Sequence, residues 1–158
     1  MNVWLSPKRP VIGLAMASAL VCAVPADAGE RLAGPVTAEV VRVVDGDTIE
    51  VRARIWLSQY VLVDVRVRGI DAPEAGGRAK CRSERVKAAE ALRRMEQLAV
   101  GEVRLSDITE DKYAGRVDAD VVNADGLDLK GAMLASGLAR PYDGAIRSDW
   151  CDLASVNP

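Results

Sequence analysis

From residue 36 onward, apolar and polar side chains alternate with a period of two, interrupted by one long stretch with helical period. Residues 36–44 are rich in β-branched side chains and end at Asp45-Gly46, a strong turn signal. A second strand follows, with Ile49, Val51, Ala53 and Ile55 on one face and Glu50, Arg52 and Arg54 on the other. In a third, over about residues 60–68, Val61, Val63, Val65 and Val67 alternate with Leu62, Asp64, Arg66 and Arg68. Period two therefore puts Arg66 and Arg68 together, opposite the valines. Residues 69–77 read as a loop. Over residues 83–100, Ala88, Ala91, Leu92, Met95, Leu98 and Ala99 fall on one helical stripe, which Gly101 stops. Residues 103–108 and 116–123 read as two further strands. In the second of these Val117, Ala119 and Val121 alternate with Arg116, Asp118 and Asp120. Ala124-Asp125-Gly126 turns the chain, and a short helix over residues 129–136 ends at Gly137. This order predicts an α+β fold, a five-stranded OB-fold barrel with two to three packed helices. A parallel βαβ sheet fits poorly, because the first three strands lack crossover helices.

The chain before residue 36 reads differently. Lys8 and Arg9 precede an uncharged apolar run over residues 11–24, and Ala26-Asp27-Ala28 supplies the small residues that signal peptidase accepts. The run is short for a membrane span, and Pro25 and Asp27 end it. The expectation is a cleavable signal peptide over residues 1–28, a short lead-in over 29–35 and a single domain over 36–158. The product would be exported, periplasmic or extracellular, without stable membrane association after cleavage. Cys22 lies in the apolar run, but Ala19, Leu20 and Val21 before it do not match a lipoprotein site. Cleavage leaves Cys81 and Cys151, and an isolated pair in an exported protein points to a disulfide, with two free thiols as the alternative. Closing a loop of roughly 70 residues contributes about 4 kcal/mol in the chain-entropy picture.

Composition narrows the chemistry. Removing two basic residues and one acid with the leader takes the formal net charge from −2 to −3, which is not the profile of a protein that coats DNA. The chain has no His. That excludes Ser-His-Asp and Cys-His nucleophile pairs, paired-histidine ribonuclease chemistry and histidine-ligated zinc. Any hydrolysis must run on carboxylates, arginine, lysine or tyrosine, with a hard metal ion. No Phe and few other aromatics argue against an extended base-stacking platform.

Three short segments carry candidate chemistry. Asp45-Gly46-Asp47-Thr48 joins the first two strands and, taken alone, is an ordinary hairpin turn. Ile70-Asp71-Ala72-Pro73-Glu74 sets two carboxylates around a proline directly after the valine strand, where the bland reading is solvated loop charge. Asp47 and Asp71, from separate loops, can supply charged oxygens to Ca²⁺ with a backbone carbonyl completing the set. Arg66 leads into the acidic loop, and Arg116 opens the strand after Asp111-Lys112-Tyr113-Ala114-Gly115. Two guanidiniums can grip a phosphodiester and stabilise the charge of its five-coordinate transition state.

The ordered set resembles the thermonuclease family, the staphylococcal nuclease homologues, as an exported bacterial member. The matching segments are Val44-Asp45-Gly46-Asp47-Thr48, Arg66-Val67-Arg68-Gly69-Ile70-Asp71-Ala72-Pro73-Glu74, Asp111-Lys112-Tyr113-Ala114-Gly115-Arg116 and Leu134-Ala135-Ser136-Gly137-Leu138-Ala139-Arg140. The resemblance implies an OB-fold barrel and one Ca²⁺ held by Asp47, Asp71 and the Ala72 carbonyl. Glu74 would be the general base for the attacking water, or would order its loop and that water. Arg66 and Arg116 would bind the scissile phosphate. Lys112 and Tyr113 would contact a neighbouring phosphate, and Tyr142 would stand for a tyrosine that stacks on a base. The implied activity is a calcium-dependent endonuclease acting as a monomer on DNA or RNA, leaving 3′-phosphate ends with little sequence preference, since phosphate contacts carry no base information. Ala72 stands where the family often has Thr, Ala114 adds a residue before Gly115-Arg116, and residues 54–60 lengthen the second hairpin with no assigned role. Two other readings stay open: a non-catalytic OB-fold module that binds nucleic acid or protein, and an extracellular domain that binds calcium for stability alone.

Overall fold

The computed structural model describes residues 30–147 and 149–151, so the leader expected at residues 1–28 lies outside the described residues. The alternating segments form β1 (Arg31–Leu32), β2 (Val36–Val43), β3 (Thr48–Trp56), β4 (Gln59–Val67), β5 (Ile70–Asp71), β6 (Glu102–Glu110), β7 (Arg116–Asn123) and β8 (Arg140–Pro141). β2, β3 and β4 make an antiparallel meander, β6 pairs with both β2 and β7, and β7 runs parallel to β4. These pairings close the ring β6-β2-β3-β4-β7, a five-stranded OB-type barrel without open edges in its own circuit. β1, in the stretch read as a lead-in, pairs with Ile108 and Thr109 of β6, just beyond the residues of β6 that pair with β2.

The period-two faces explain the closure. Ile49 and Val51 of β3, Val65 and Val67 of β4, Val103 and Leu105 of β6 and Ala119 and Val121 of β7 are all buried in one core. Each fully buried aliphatic side chain of this size contributes about 1.5–3 kcal/mol. Helix α1 (Arg82–Leu98) lays Ala88, Ala91, Met95 and Leu98 onto the barrel, and α2 (Leu129–Ala135) adds Leu129 and Met133. Both helices have side-chain N-caps: the Cys81 sulfur accepts from the Glu84 N–H, and the Asp128 carboxylate from those of Lys130 and Gly131. The helix expected to reach residue 100 ends two residues sooner, where Gly101 with φ +69° carries the chain into β6.

Two features bear on function. The face of β4 opposite the valines is not solvated at its end, because Arg66 is buried beside Val65 and Val67. The lengthened β3–β4 hairpin runs beyond the barrel and leaves Trp56, Leu57 and Leu62 largely exposed at the far end from Thr48. At the near end the β2–β3 turn, the segment after β4, the β6–β7 turn and the C-terminal strap come together. The strap is tied twice: β8 pairs with β5, and Cys81 is disulfide-bonded to Cys151 with a Cα–Cα distance of 5.9 Å.

Candidate active site

The turn between β2 and β3 is built to face inward. The N–H groups of Val44 and Asp45 both reach the Thr48 carbonyl at 2.9 and 3.2 Å, and the Asp45 carboxylate accepts the Asp47 N–H at 3.0 Å. This directs the Asp47 side chain into the protein. Its Oδ1 accepts the Thr48 hydroxyl at 2.9 Å, and its Oδ2 accepts the Ala72 N–H at 3.1 Å, joining the turn to the acidic loop. Gly46 lets the two loops touch. A Cβ there would lie 2.7 Å from the Cβ atoms of both Ala72 and Ala91, so glycine is needed for space.

Arg66 sits between the acids. Its Nη2 lies 3.2 Å from Asp47 Oδ2 and 3.8 Å from Asp71 Oδ1, and donates to the Ile70 carbonyl at 3.1 Å. Asp47, Asp71 and Arg66 are each less than a tenth exposed. Burial, joined by the charge of Asp45, pushes the Asp47 carboxyl up to about 6 against the pull of Arg66, the Ala72 N–H and the Thr48 hydroxyl. Burying such charges costs several kcal/mol per ion, so the cluster is not an economical way to hold a barrel together. Asp71 Oδ1 is also buried without a hydrogen-bond donor, although Trp150 Nε1 reaches Asp71 Oδ2 at 3.4 Å.

Glu74 lies at the rim, ion-paired with Arg78 Nε at 3.0 Å and with Arg147 Nη1. Its main chain is held from α1. Glu84, buried in the first turn, accepts the Glu74 N–H at 3.2 Å and the Lys80 N–H at 2.7 Å. Glu84 stands three residues after the Cys81 N-cap, as in a capping box, but its carboxylate takes the Lys80 and Glu74 N–H groups rather than that of Cys81, so the local spacing did not disclose this brace. Arg147 has no such local signature. Its placement follows from the strap, which the disulfide pins near the start of α1.

Arg116 reaches the same end of the barrel despite the added Ala114, because Gly115 takes φ +82° and tightens the turn. Its Nε donates to Asp111 Oδ2 at 2.6 Å, and its guanidinium lies 4.8 Å from the Tyr113 ring centre. Burial would raise the Asp111 carboxyl, but the hydrogen bond and charge of Arg116 outweigh it and hold the group below its ordinary value. A small cleft of about 30 Å³ is bordered by Asp45, Asp47, Ala72, Glu74, Arg66 and Arg116. Beside it opens a cavity of about 350 Å³, basic on balance, where Arg66, Arg68, Lys112, Arg116 and Arg147 outnumber Asp111, Asp118 and Asp143, and which Tyr142 also lines. Tyr142 stands with its ring centre 5.4 Å from the Arg66 guanidinium. Tyr113 is exposed on the turn, with the Lys112 ammonium 5.4 Å from its ring centre.

The donors fit a hard divalent ion. Asp47 and Asp71 approach one cationic nitrogen together, the Ala72 peptide lies between their loops, and Asp71 keeps a buried oxygen with no donor. A soft metal fits less well. Cys81, Glu84 and Cys151 bring ligand atoms within 4.8 Å of one another, but the two sulfurs are bonded together and offer no thiolate.

Compared with known proteins, the chain matches the family described as "Staphylococcal nuclease homologue" over residues 64–152, more than half its length. No curated protein matches it.

Proposed function

The chain belongs to the staphylococcal nuclease homologues, and from that premise we propose that it is an exported, calcium-dependent endonuclease that hydrolyses phosphodiester bonds of DNA or RNA. One observation carries the reading. Asp47, Glu74, Arg66 and Arg116 border a single cleft whose floor is the contact between the two acidic loops, next to a cavity rich in arginine and lysine. A binding module has no need of buried carboxylates in that position.

In this reading Asp47, Asp71 and the Ala72 carbonyl would hold one Ca²⁺. When bound, the ion would neutralise the carboxylates and draw negative charge from the phosphate. Arg66, rigid on β4, holds a phosphoryl oxygen, and Arg116 stands toward the leaving oxygen. Glu74 accepts a proton from the attacking water once its arginine partners are drawn elsewhere. Glu84 keeps the Glu74 main chain in place from the buried start of α1. Lys112, Tyr113 and Tyr142 line the path of the neighbouring nucleotides. Most of these contacts fall on phosphate, which accounts for weak sequence preference. The signal-like leader and the disulfide support export, and the protein acts as a monomer.

The test is cleavage of plasmid DNA and RNA by the purified protein with Ca²⁺ and then with chelator. Activity that persists unchanged in chelator rules out the metal mechanism, and no cleavage in either condition rules out the enzyme. Glu74→Gln should lower cleavage by about 10²–10⁴-fold while calcium binding, measured by calorimetry, persists. Wild-type-like cleavage by that variant would remove Glu74 from the role of base.

A further inference from the structure

Arg147 is the cation that links the parts of this site. Its Nε lies 3.2 Å from Asp71 Oδ1, and its Nη1 pairs with Glu74 Oε1. It also borders both the small cleft and the basic cavity beside it. Arg66, the other guanidinium near Asp71, is held differently. Its side chain is 9% exposed against 42% for Arg147, and it is anchored on the Ile70 carbonyl. The backbone that carries Arg147 is fixed nearby: Trp150 is buried under Arg140 and the disulfide follows at Cys151. So the strap delivers Arg147 to one place, with a long side chain that stays partly exposed.

Buried carboxylates require a compensating charge. Without an ion, Arg147 supplies it to Asp71 by charge alone, since Asp71 Oδ1 receives no hydrogen bond from either nearby guanidinium. A contact of that kind is replaceable. A divalent ion between Asp47 and Asp71 repels the guanidinium and removes its attraction to Asp71. In the adjoining cavity, where Arg66, Arg68, Lys112 and Arg116 outnumber Asp111, Asp118 and Asp143, a substrate phosphate offers it two oxygens at once.

We propose that Arg147 is a built-in counter-ion that competes with the divalent ion for Asp71 and Glu74 and, once displaced, binds a substrate phosphate in the basic cavity. The proposal rests on the calcium-nuclease reading and adds to it a switching residue carried on the disulfide-tied strap. It also gives Glu74 a route to freedom, because the ion that charges the site removes one of its arginine partners.

The experiment is a calcium titration by calorimetry, without nucleic acid, on the wild-type protein, Arg147→Gln and Arg147→Lys. Loss of the competing charge should tighten calcium binding in Arg147→Gln about tenfold, and Arg147→Lys should stay near wild type. At saturating calcium, the KM of Arg147→Gln for a short single-stranded oligonucleotide should rise about tenfold, with a smaller change in kcat. Equal or weaker calcium binding by Arg147→Gln overturns the counter-ion role. Tighter calcium with unchanged KM overturns the phosphate contact. Should Arg147→Gln fail to fold, a lysine variant that binds calcium tenfold more tightly than wild type overturns the proposal by itself. Absence of calcium binding in all three proteins overturns the calcium reading beneath it, and the inference with it.

Discussion

Asp111 and Arg116 meet at 2.6 Å, and the contact decides where that guanidinium points. The sign of its pH dependence follows from the depressed Asp111 carboxyl. A group whose folded value lies below its unfolded one adds stability above the ordinary carboxylate range and loses it as pH falls through the folded value. Asp111→Asn should therefore unfold more easily than wild type near neutral pH, with the difference shrinking below about pH 4. Urea denaturation from pH 3 to 7 measures this, and a constant difference across that range would count against the ion pair. At this scale the sequence showed the chemistry but not all the partners. Asp47, Asp71, Glu74, Arg66 and Arg116 stand out as charges beside turns. Glu84 and Arg147 look like ordinary members of a helix and a tail until the chain closes on itself.

The elements matter because each presents one loop to the same end of the barrel. Gly46 is the tightest of these fits, with its α-carbon facing Ala72 and Ala91. Gly46→Ala should push the β2–β3 turn from the acidic loop, costing about 1–3 kcal/mol of stability. It should also weaken calcium binding, by separating Asp47 from Asp71, which calorimetry on the variant would detect. The disulfide works on the other side of the site. Replacing Cys81 and Cys151 by serine should lower unfolding stability by about 2–4 kcal/mol in denaturant titration. The two helices and the five barrel strands were legible from their periods, apart from end residues, whereas the two-residue strands β1, β5 and β8 were not. The covering of Arg66 was not, because period two says which face a side chain takes and nothing about what later packs over it.

For the molecule as a whole, the formal charge of −2 conceals a local excess of positive charge. Arg66, Arg68, Lys112, Arg116 and Arg147 all border one cavity, against the three acids Asp111, Asp118 and Asp143. Nucleic-acid binding should accordingly weaken with salt, with a log–log slope set by about three to five phosphates rather than by net charge. Measuring KM for a single-stranded oligonucleotide between about 50 and 300 mM salt, over which the Debye length falls from about 14 to about 6 Å, tests this; a flat profile would contradict the cavity as the binding surface. Under the proposed function calcium should raise the melting temperature with concentration, because an ion held by Asp47 and Asp71 would favour the folded chain in which the two meet.

Alternation, turn residues and one helical stripe determined the barrel, because they are local properties that any compact arrangement must satisfy. The absence of histidine and the ordered acidic and basic segments determined the kind of chemistry open to the chain. Tertiary structure alone decided which charges face one another. Asp71 and Arg147 are far apart in sequence, yet strand pairing between β5 and β8 and the Cys81–Cys151 bond bring them to 3.2 Å. Charge interactions depend on distance and burial rather than order along the chain, so the partnership of Arg147 with the acids becomes visible only when the strap is in place.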